Sequence, residues 1–212
     1  MEDHPPQTAA AQQARIRVIA LGDELLAGAG DARALGWIGR AVASEQDPSA
    51  RIELFVSALP GETSAALAER WDTAVTERMD AEAQAEGLLE HRVVIGMGAA
   101  DVTAGISLAR SRLNLAKILD GLERMRVPAF VVGPPPSLDR GRTASVRELS
   151  AAFEDVCARR RIPYVDTVAA LEGHDQWTAD LARGGDRPGQ TGYGLIAWLV
   201  LHGGFGTWLG TS

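Results

Sequence analysis

Hydrophobic and polar positions alternate in blocks along the chain, and the blocks change period. Residues 15–21 (RIRVIAL) form a short β-branched run that stops at a glycine and reads as a buried strand. A helix is expected over 35–44, then a second strand over 51–59 (RIELFVSAL). Apolar residues at helical spacing follow over 63–79, with Thr63 and Ser64 as hydroxyl cap candidates at its start. Residues 81–87 read as a surface connection. A third strand over 91–98 (HRVVIGMG), a long amphipathic helix over 108–124 and a fourth strand over 128–132 come next. A helix over 144–161, a short strand over 162–166, a loop running to Gly189 and a helix over 191–201 complete the pattern. The glycine-rich tail from His202 carries Phe205 and Trp208, which are expected to fold back onto the core.

Five strands separated by helices favour a parallel sheet, because parallel neighbours need long crossover connections. Most of the strands read as apolar runs, as expected when helices cover both faces, while residues 51–59 alternate. The fold class is therefore α/β, a three-layer α/β/α sandwich around a five-stranded parallel sheet. In such sheets ligands bind beyond the carboxyl ends of the strands.

Composition sharpens the picture. With 46% hydrophobic residues the chain can bury a core of one domain, placed at 15–212. Residues 1–14 are mostly polar and include Pro5-Pro6. They lack the basic and apolar regions of a secretory signal and read as a disordered tail. A net charge of −7, from 21 basic and 28 acidic side chains, argues against a nucleic-acid or anionic-membrane partner. No apolar run reaches the roughly 18–20 residues a membrane span needs. The single cysteine, Cys157, cannot form an internal disulfide, so a cytoplasmic location is expected.

The chemistry should lie in the segments that follow the strands. These are Gly22-Asp23-Glu24-Leu25-Leu26-Ala27-Gly28, Pro60-Gly61-Glu62-Thr63, Gly98-Ala99-Ala100-Asp101 and, before the last helix, Gly185-Asp186-Arg187-Pro188-Gly189-Gln190-Thr191-Gly192-Tyr193. In order and placement they resemble the conserved blocks of the SGNH/GDSL hydrolases, and the resemblance spans about 15–200. It is strongest where GDE-L-x-AG is similar to that family's GDS-L-T-x-G, and where RPGQTGY is similar to its H-P-x-x-x-G-Y. Gly133-Pro134-Pro135-Pro136 after the fourth strand is a further likeness. The resemblance implies the sheet order 2-1-3-4-5 and an ester-hydrolase, lipase or acylhydrolase ancestry.

It also implies which positions should be catalytic, and here the chain departs from the pattern. Glu24 stands where the nucleophilic serine would be. Of the oxyanion-hole positions, Glu24, Gly61 and Ala100, only Gly61 is kept. Arg187 stands at the histidine and Gly184 at the aspartate. A serine mechanism needs a hydroxyl and an adjacent base. Glu24 has no such proton to give, and Arg187 stays protonated. Two replacements for the Ser–His pair are open: a Glu24–Arg187 ion pair, or Glu24 turned onto the Gly61 N–H. Asp23, Asp101 and Asp186 are the supporting carboxylates. Asp23 and Asp101 are expected to bind backbone, and Asp186 to lie solvated in its loop unless it serves as a substitute acid.

Three functions follow as alternatives. One is a pseudo-hydrolase that binds a small ligand or a protein partner. Another is an active hydrolase with a rearranged site centred on Glu24. The third is a nucleotide-type module using the Gly22–Gly30 loop, although no G-x-G-x-x-G fingerprint or Walker lysine is present. No cofactor is implied, and no His, Asp or Glu spacing marks a metal site. His174 reads as an exposed loop residue rather than a substitute base, His91 as a strand-edge and His202 as a helix-end residue, and His4 lies in the tail. Glu62 is expected early in its helix, and Asp31 and Arg33 on the loop surface. Trp37, Trp198 and Trp208 read as packing residues, with a homodimer surface as the other reading.

Overall fold

The computed structural model describes residues 14–45, 50–87 and 89–211. The expected tail therefore lies outside the described residues except for Ala14, which opens the first strand. The strands are β1 (Ala14–Gly22), β2 (Ala50–Ala58), β3 (Glu90–Gly96), β4 (Ala129–Val132) and β5 (Tyr164–Val165). All pair in parallel, in the order 2-1-3-4-5.

The helices are α1 (Gly36–Ser44), α2 (Ser64–Thr76), α3 (Ala81–Ala85), α4 (Ala99–Thr103), α5 (Leu108–Arg124), α6 (Arg140–Ala158), α7 (Thr167–Leu171), α8 (Asp175–Gly184), α9 (Gln190–Val200) and α10 (Gly206–Leu209). A π-helical turn over Leu201–Phe205 joins the last two.

The period-2 geometry of the strands divides the core. Ile16, Val18 and Ala20 of β1 point to one face, where they meet Trp37 and Ile38 of α1 and Ile196 and Val200 of α9. Ile19 and Leu21 point to the other face, against Leu67 and Trp71 of α2, Leu115 and Ile118 of α5 and Phe153 of α6. In the central strands two apolar faces leave no room for alternation between oil and water, so they read as runs, whereas the edge strand β2 has exposed positions.

Several elements differ from the sequence expectation. Residues 81–87 contain the short helix α3, capped by Asp80, whose side chain accepts from the Ala83 N–H at 3.0 Å. Helix α6 starts four residues earlier than expected, because Asp139 caps it through the Arg142 N–H at 2.7 Å. The loop before Gly189 contains α7 and α8, capped by Asp166 and His174. His174 is thus a half-buried cap accepting from the Trp177 N–H, not an exposed loop residue. His91 is buried within the sheet, not at a strand edge; its ring meets the Asp80 N–H and the Gln84 side chain, and burial lowers its pKa. Trp37 is core, and Trp208 packs on Phe130 and Phe205. Trp198 is not a packing residue: it is 55% exposed and stacks only on His202.

The α2–α5 contact generates a stability prediction. At Gly121 in α5 an added Cβ would lie 2.2 Å from Cζ2 of Trp71 in α2. Gly121→Ala gains about 1 kcal/mol of helix propensity, yet overpacking against an aromatic ring costs about 1–3 kcal/mol. The clash wins. Gly121→Ala is expected to lower the urea midpoint with an unchanged m-value, the reverse of what propensity alone gives.

Candidate functional site

The carboxyl ends of the strands lie side by side. Gly22 is level with Ala58 and Gly96, Gly96 with Val132, and Val132 with Val165. This alignment needs glycine at Gly22, since a Cβ there would sit 1.9 Å from the Gly96 carbonyl oxygen. Each strand then releases its loop onto the same rim.

A cleft of about 410 Å³ opens above that rim. Asp23, Glu24, Gly61 and Ala100 line it from the first three loops, and Asp186 and Arg187 from the loop before α9. Leu25, Pro135, Pro136, Val146, Trp177 and Leu181 supply apolar wall. The structure thus brings Asp23, Glu24, Gly61, Ala100, Asp186 and Arg187 to one place; Asp101 lies buried beneath.

The half-buried Glu24 turns inward. Its Oε2 accepts the Gly61 N–H at 2.6 Å, with Gly61 in the left-handed region at φ +64°. A charge-assisted bond of this kind is worth roughly 1.5–3 kcal/mol. Of the two backbone donors in the oxyanion-hole pattern, the N–H groups of residue 24 and Gly61, the second is therefore occupied by a carboxylate of the same chain. Ala100 sits in the first turn of α4 and offers only a methyl group. No ion pair joins Glu24 to Arg187 among the described residues. Arg187 is exposed at the cleft wall and has no partner among the described residues, its Cβ just 3.8 Å from where a side chain at Gly30 would begin.

Buried carboxylates hold these loops in place. Asp23 is 4% exposed and accepts the Leu25 N–H at 3.0 Å. Burial is the main cause that pushes its pKa up to about 7, and Glu24 next door adds to the shift. Asp101 accepts the Ser64 N–H at 2.6 Å, tying the third loop to the start of α2; Ser64 in turn accepts from Asn114. Glu62 is not an early-helix residue: it precedes the Thr63 cap and pairs, buried, with Arg70. Asp31 is not loop surface either. It is buried, accepts the Leu35 and Gly36 N–H groups that start α1, and pairs with Arg40, which holds its carboxyl well below the usual range. Arg33 remains exposed.

The loop that carries Arg187 has two fastenings. Gly185 and Asp186 both adopt left-handed backbone, φ +63° and +66°, which reverses the chain after α8. The carboxylate of Asp186 accepts the Leu138 N–H at 2.7 Å and pairs with Arg142 at 3.0 Å, so it is not a solvated loop group. The second fastening was absent from the sequence reading. Asp180 in α8, 5% exposed, accepts the Gly189 and Gly192 N–H groups at 2.6 and 2.8 Å, capping α9 from outside. Its only sequence signal is an acidic residue inside a helix whose remaining face is apolar. Tyr193 completes the join by donating to the Ala29 carbonyl at 2.7 Å.

Chemically the cleft offers a carboxylate, a free guanidinium and an apolar wall. Ser137 and Thr103 are the hydroxyls that line it. The Ser137 hydroxyl donates to the Asp139 carbonyl and that of Thr103 to the Ala99 carbonyl, so neither is set against a base. No histidine lines the cleft, and no cluster of three or more metal-binding side chains occurs among the described residues. No described helix is long and apolar enough to cross a membrane.

Solved structures share this architecture. A lipase/acylhydrolase from Enterococcus faecalis superposes with a TM-score of 0.69 at 22% identity, over 90% of this chain and 96% of that one. A catalytic mutant of an acetylxylan esterase from Geobacillus stearothermophilus gives 0.71 at 18%, over 88% and 93%. A psychrotrophic esterase from Pseudoalteromonas sp. gives 0.68 at 18%, over 92% and 98%. These likenesses show the fold. No curated protein matches the chain by sequence. The model of the GDSL-like lipase/acylhydrolase family matches residues 20–195, and the chain belongs to that family.

Proposed function

We propose that this protein is a pseudo-hydrolase whose cleft binds a small ligand, or a group presented by a protein partner, without Ser–His ester hydrolysis. One observation carries the reading: Glu24 is bonded to the Gly61 N–H. An ester carbonyl entering the cleft would have to displace a carboxylate from the donor it needs. Nucleophile and base are both missing as well, a combined loss that costs on the order of 10⁶ in turnover in serine proteases. What remains suits binding: a volume within the roughly 300–1,000 Å³ usual for ligand pockets, apolar walls and, in Arg187, a cation without a partner among the described residues. Cytoplasmic residence belongs to the same proposal. Its support is a single, buried thiol, pushed up to about 12 by burial and so unreactive.

A second reading is a hydrolase that uses Glu24 itself as nucleophile or general base, with Arg187 neutralising charge. The open cleft and the unpaired Arg187 favour it.

Hydrolysis of short- and medium-chain p-nitrophenyl esters, by the native protein and by Glu24→Gln, separates the two. The expected result is no turnover above buffer for either. Turnover by the native protein that disappears in Glu24→Gln would establish the second reading and end the first.

The floor of the cleft also titrates. Asp23 holds its proton more tightly in the folded than in the unfolded chain, its pKa rising from 3.8 to about 7. The folded state therefore binds more protons between those values, and stability falls as pH rises from about 4 to about 7, at most about 1.4 kcal/mol per unit. Asp23→Asn keeps an acceptor for the Leu25 N–H and removes the titration. Its unfolding free energy is expected to lose that slope, so that it gains on the native protein as pH rises. Parallel slopes for the two proteins would show that Asp23 is not the group responsible.

A further inference from the structure

Among the described residues β2 forms an outer edge of the sheet and pairs with no strand but β1. It is nine residues long, about 30 Å of strand, and stays in unbroken register with β1 from end to end. Exposed edges are normally blunted by lysine, proline, bulges or short length. None of these occurs in Ala-Arg-Ile-Glu-Leu-Phe-Val-Ser-Ala. Its acid, Glu53, is already spent on Arg15 and Arg17 of β1. Arg51 is exposed and unpaired among the described residues.

Apolar side chains collect along this edge. Phe55, Val56, Leu59 and the nearby Leu35 are 41–49% exposed and make up half of the exposed large hydrophobic residues described. A shallow groove of about 400 Å³, lined by Leu26, Leu35, Leu54 and Val56 among others, runs beside the strand on the α1 face. The free main-chain donors and acceptors of the edge specify what can cover it: another strand.

We infer that β2 pairs antiparallel with β2 of a second copy of this chain, joining two sheets into one of ten strands around a two-fold axis. A two-fold passing at Leu54 sets Arg51 opposite Ser57, Ile52 opposite Val56 and Glu53 opposite Phe55, so no like charges stand directly opposite; the two Glu53 carboxylates are diagonal neighbours, each already paired with Arg15 and Arg17. Opposed residues share a face, and the grooves beside Leu35 and Val56 of the two copies adjoin. An isologous contact of this kind closes on itself. The opposite edge of the sheet, β5, is two residues long and cannot extend the array, so the assembly stops at a dimer. The two clefts lie at opposite ends of the shared edge, both open.

Sedimentation equilibrium of the full chain over a dilution series tests this, with Val56→Lys as the variant. The native protein is expected at twice its chain mass at the upper concentrations. Val56→Lys, which places a charge in the apolar seam, is expected to weaken the dimer by about tenfold or more with its circular dichroism unchanged. Hydrogen exchange of residues 51–58 in the native protein gives a readout that does not depend on the variant: protection of the edge amides should fall on dilution. A native monomer throughout, or a dimer that Val56→Lys leaves intact, overturns the inference. Edge amides protected at every dilution would mean that another segment of the same chain covers β2, which also overturns it.

Discussion

The organisation of this protein depends on five parallel strands ending at one level. A parallel sheet buried on both faces can be entered only at its ends, since helices close the faces. Gly22, Ala58, Gly96, Val132 and Val165 form that end here. The Gly22 backbone passes so near the Gly96 carbonyl that no side chain fits between them. From this rim, residues 24, 61 and 100 enter one cleft although they are dozens of positions apart in the chain. Residue 187 arrives from a loop outside the sheet, and that loop has to be fixed by other means.

Buried carboxylates provide those means. Asp101 fixes the start of α2, Asp31 the start of α1 and Asp180 the start of α9, each by accepting backbone N–H groups that the helix cannot satisfy. A carboxylate in the interior is costly unless its oxygens are bonded. Groups that meet this condition also make stiff joints, because removing them leaves orphaned donors behind. Asp101 is bonded through Oδ1 only, its Oδ2 lying buried without a partner among the described residues. Asp23 differs from Asp31 in its electrostatics. Burial outweighs its backbone bonds and raises its pKa, whereas the Arg40 guanidinium lowers that of Asp31.

The fold was readable from the sequence for a physical reason, and so were the gaps in the reading. Strands buried on both faces appear as apolar runs between turn residues, and the long helices α2, α5 and α9 show their period. The helices α7 and α8 are five and ten residues long and are capped by Asp166 and His174. Their caps could have been found, but too few turns follow α7 for a period to emerge. Asp180 was out of reach because its partners lie nine and twelve residues ahead, beyond any local pattern. The positions of Glu24, Gly61, Ala100 and Arg187 came from the order of the blocks. Block order could not choose between the two partners open to Glu24, a choice made by loop geometry at Gly61.

If the cleft is that of a pseudo-hydrolase, as proposed, that choice carries more than the replacement of a hydroxyl. In acyl transfer the donors of an oxyanion hole stabilise charge as it develops, and one donor contributes roughly 3–4 kcal/mol. Here the Gly61 donor already faces a negative oxygen at 2.6 Å. A second negative oxygen forming about 4 Å away would be opposed by roughly 4 kcal/mol at the effective dielectric of a protein surface. On the proposed pseudo-hydrolase reading, the site does not offer a weakened version of the family's electrostatics; it offers the opposite sign beside Gly61. Returning a serine elsewhere in the cleft would not repair this. The same sign makes the inner end of the cleft receptive to hydrogen-bond donors, while Arg187 at the wall favours acceptors, and any ligand has to be read against that polarity.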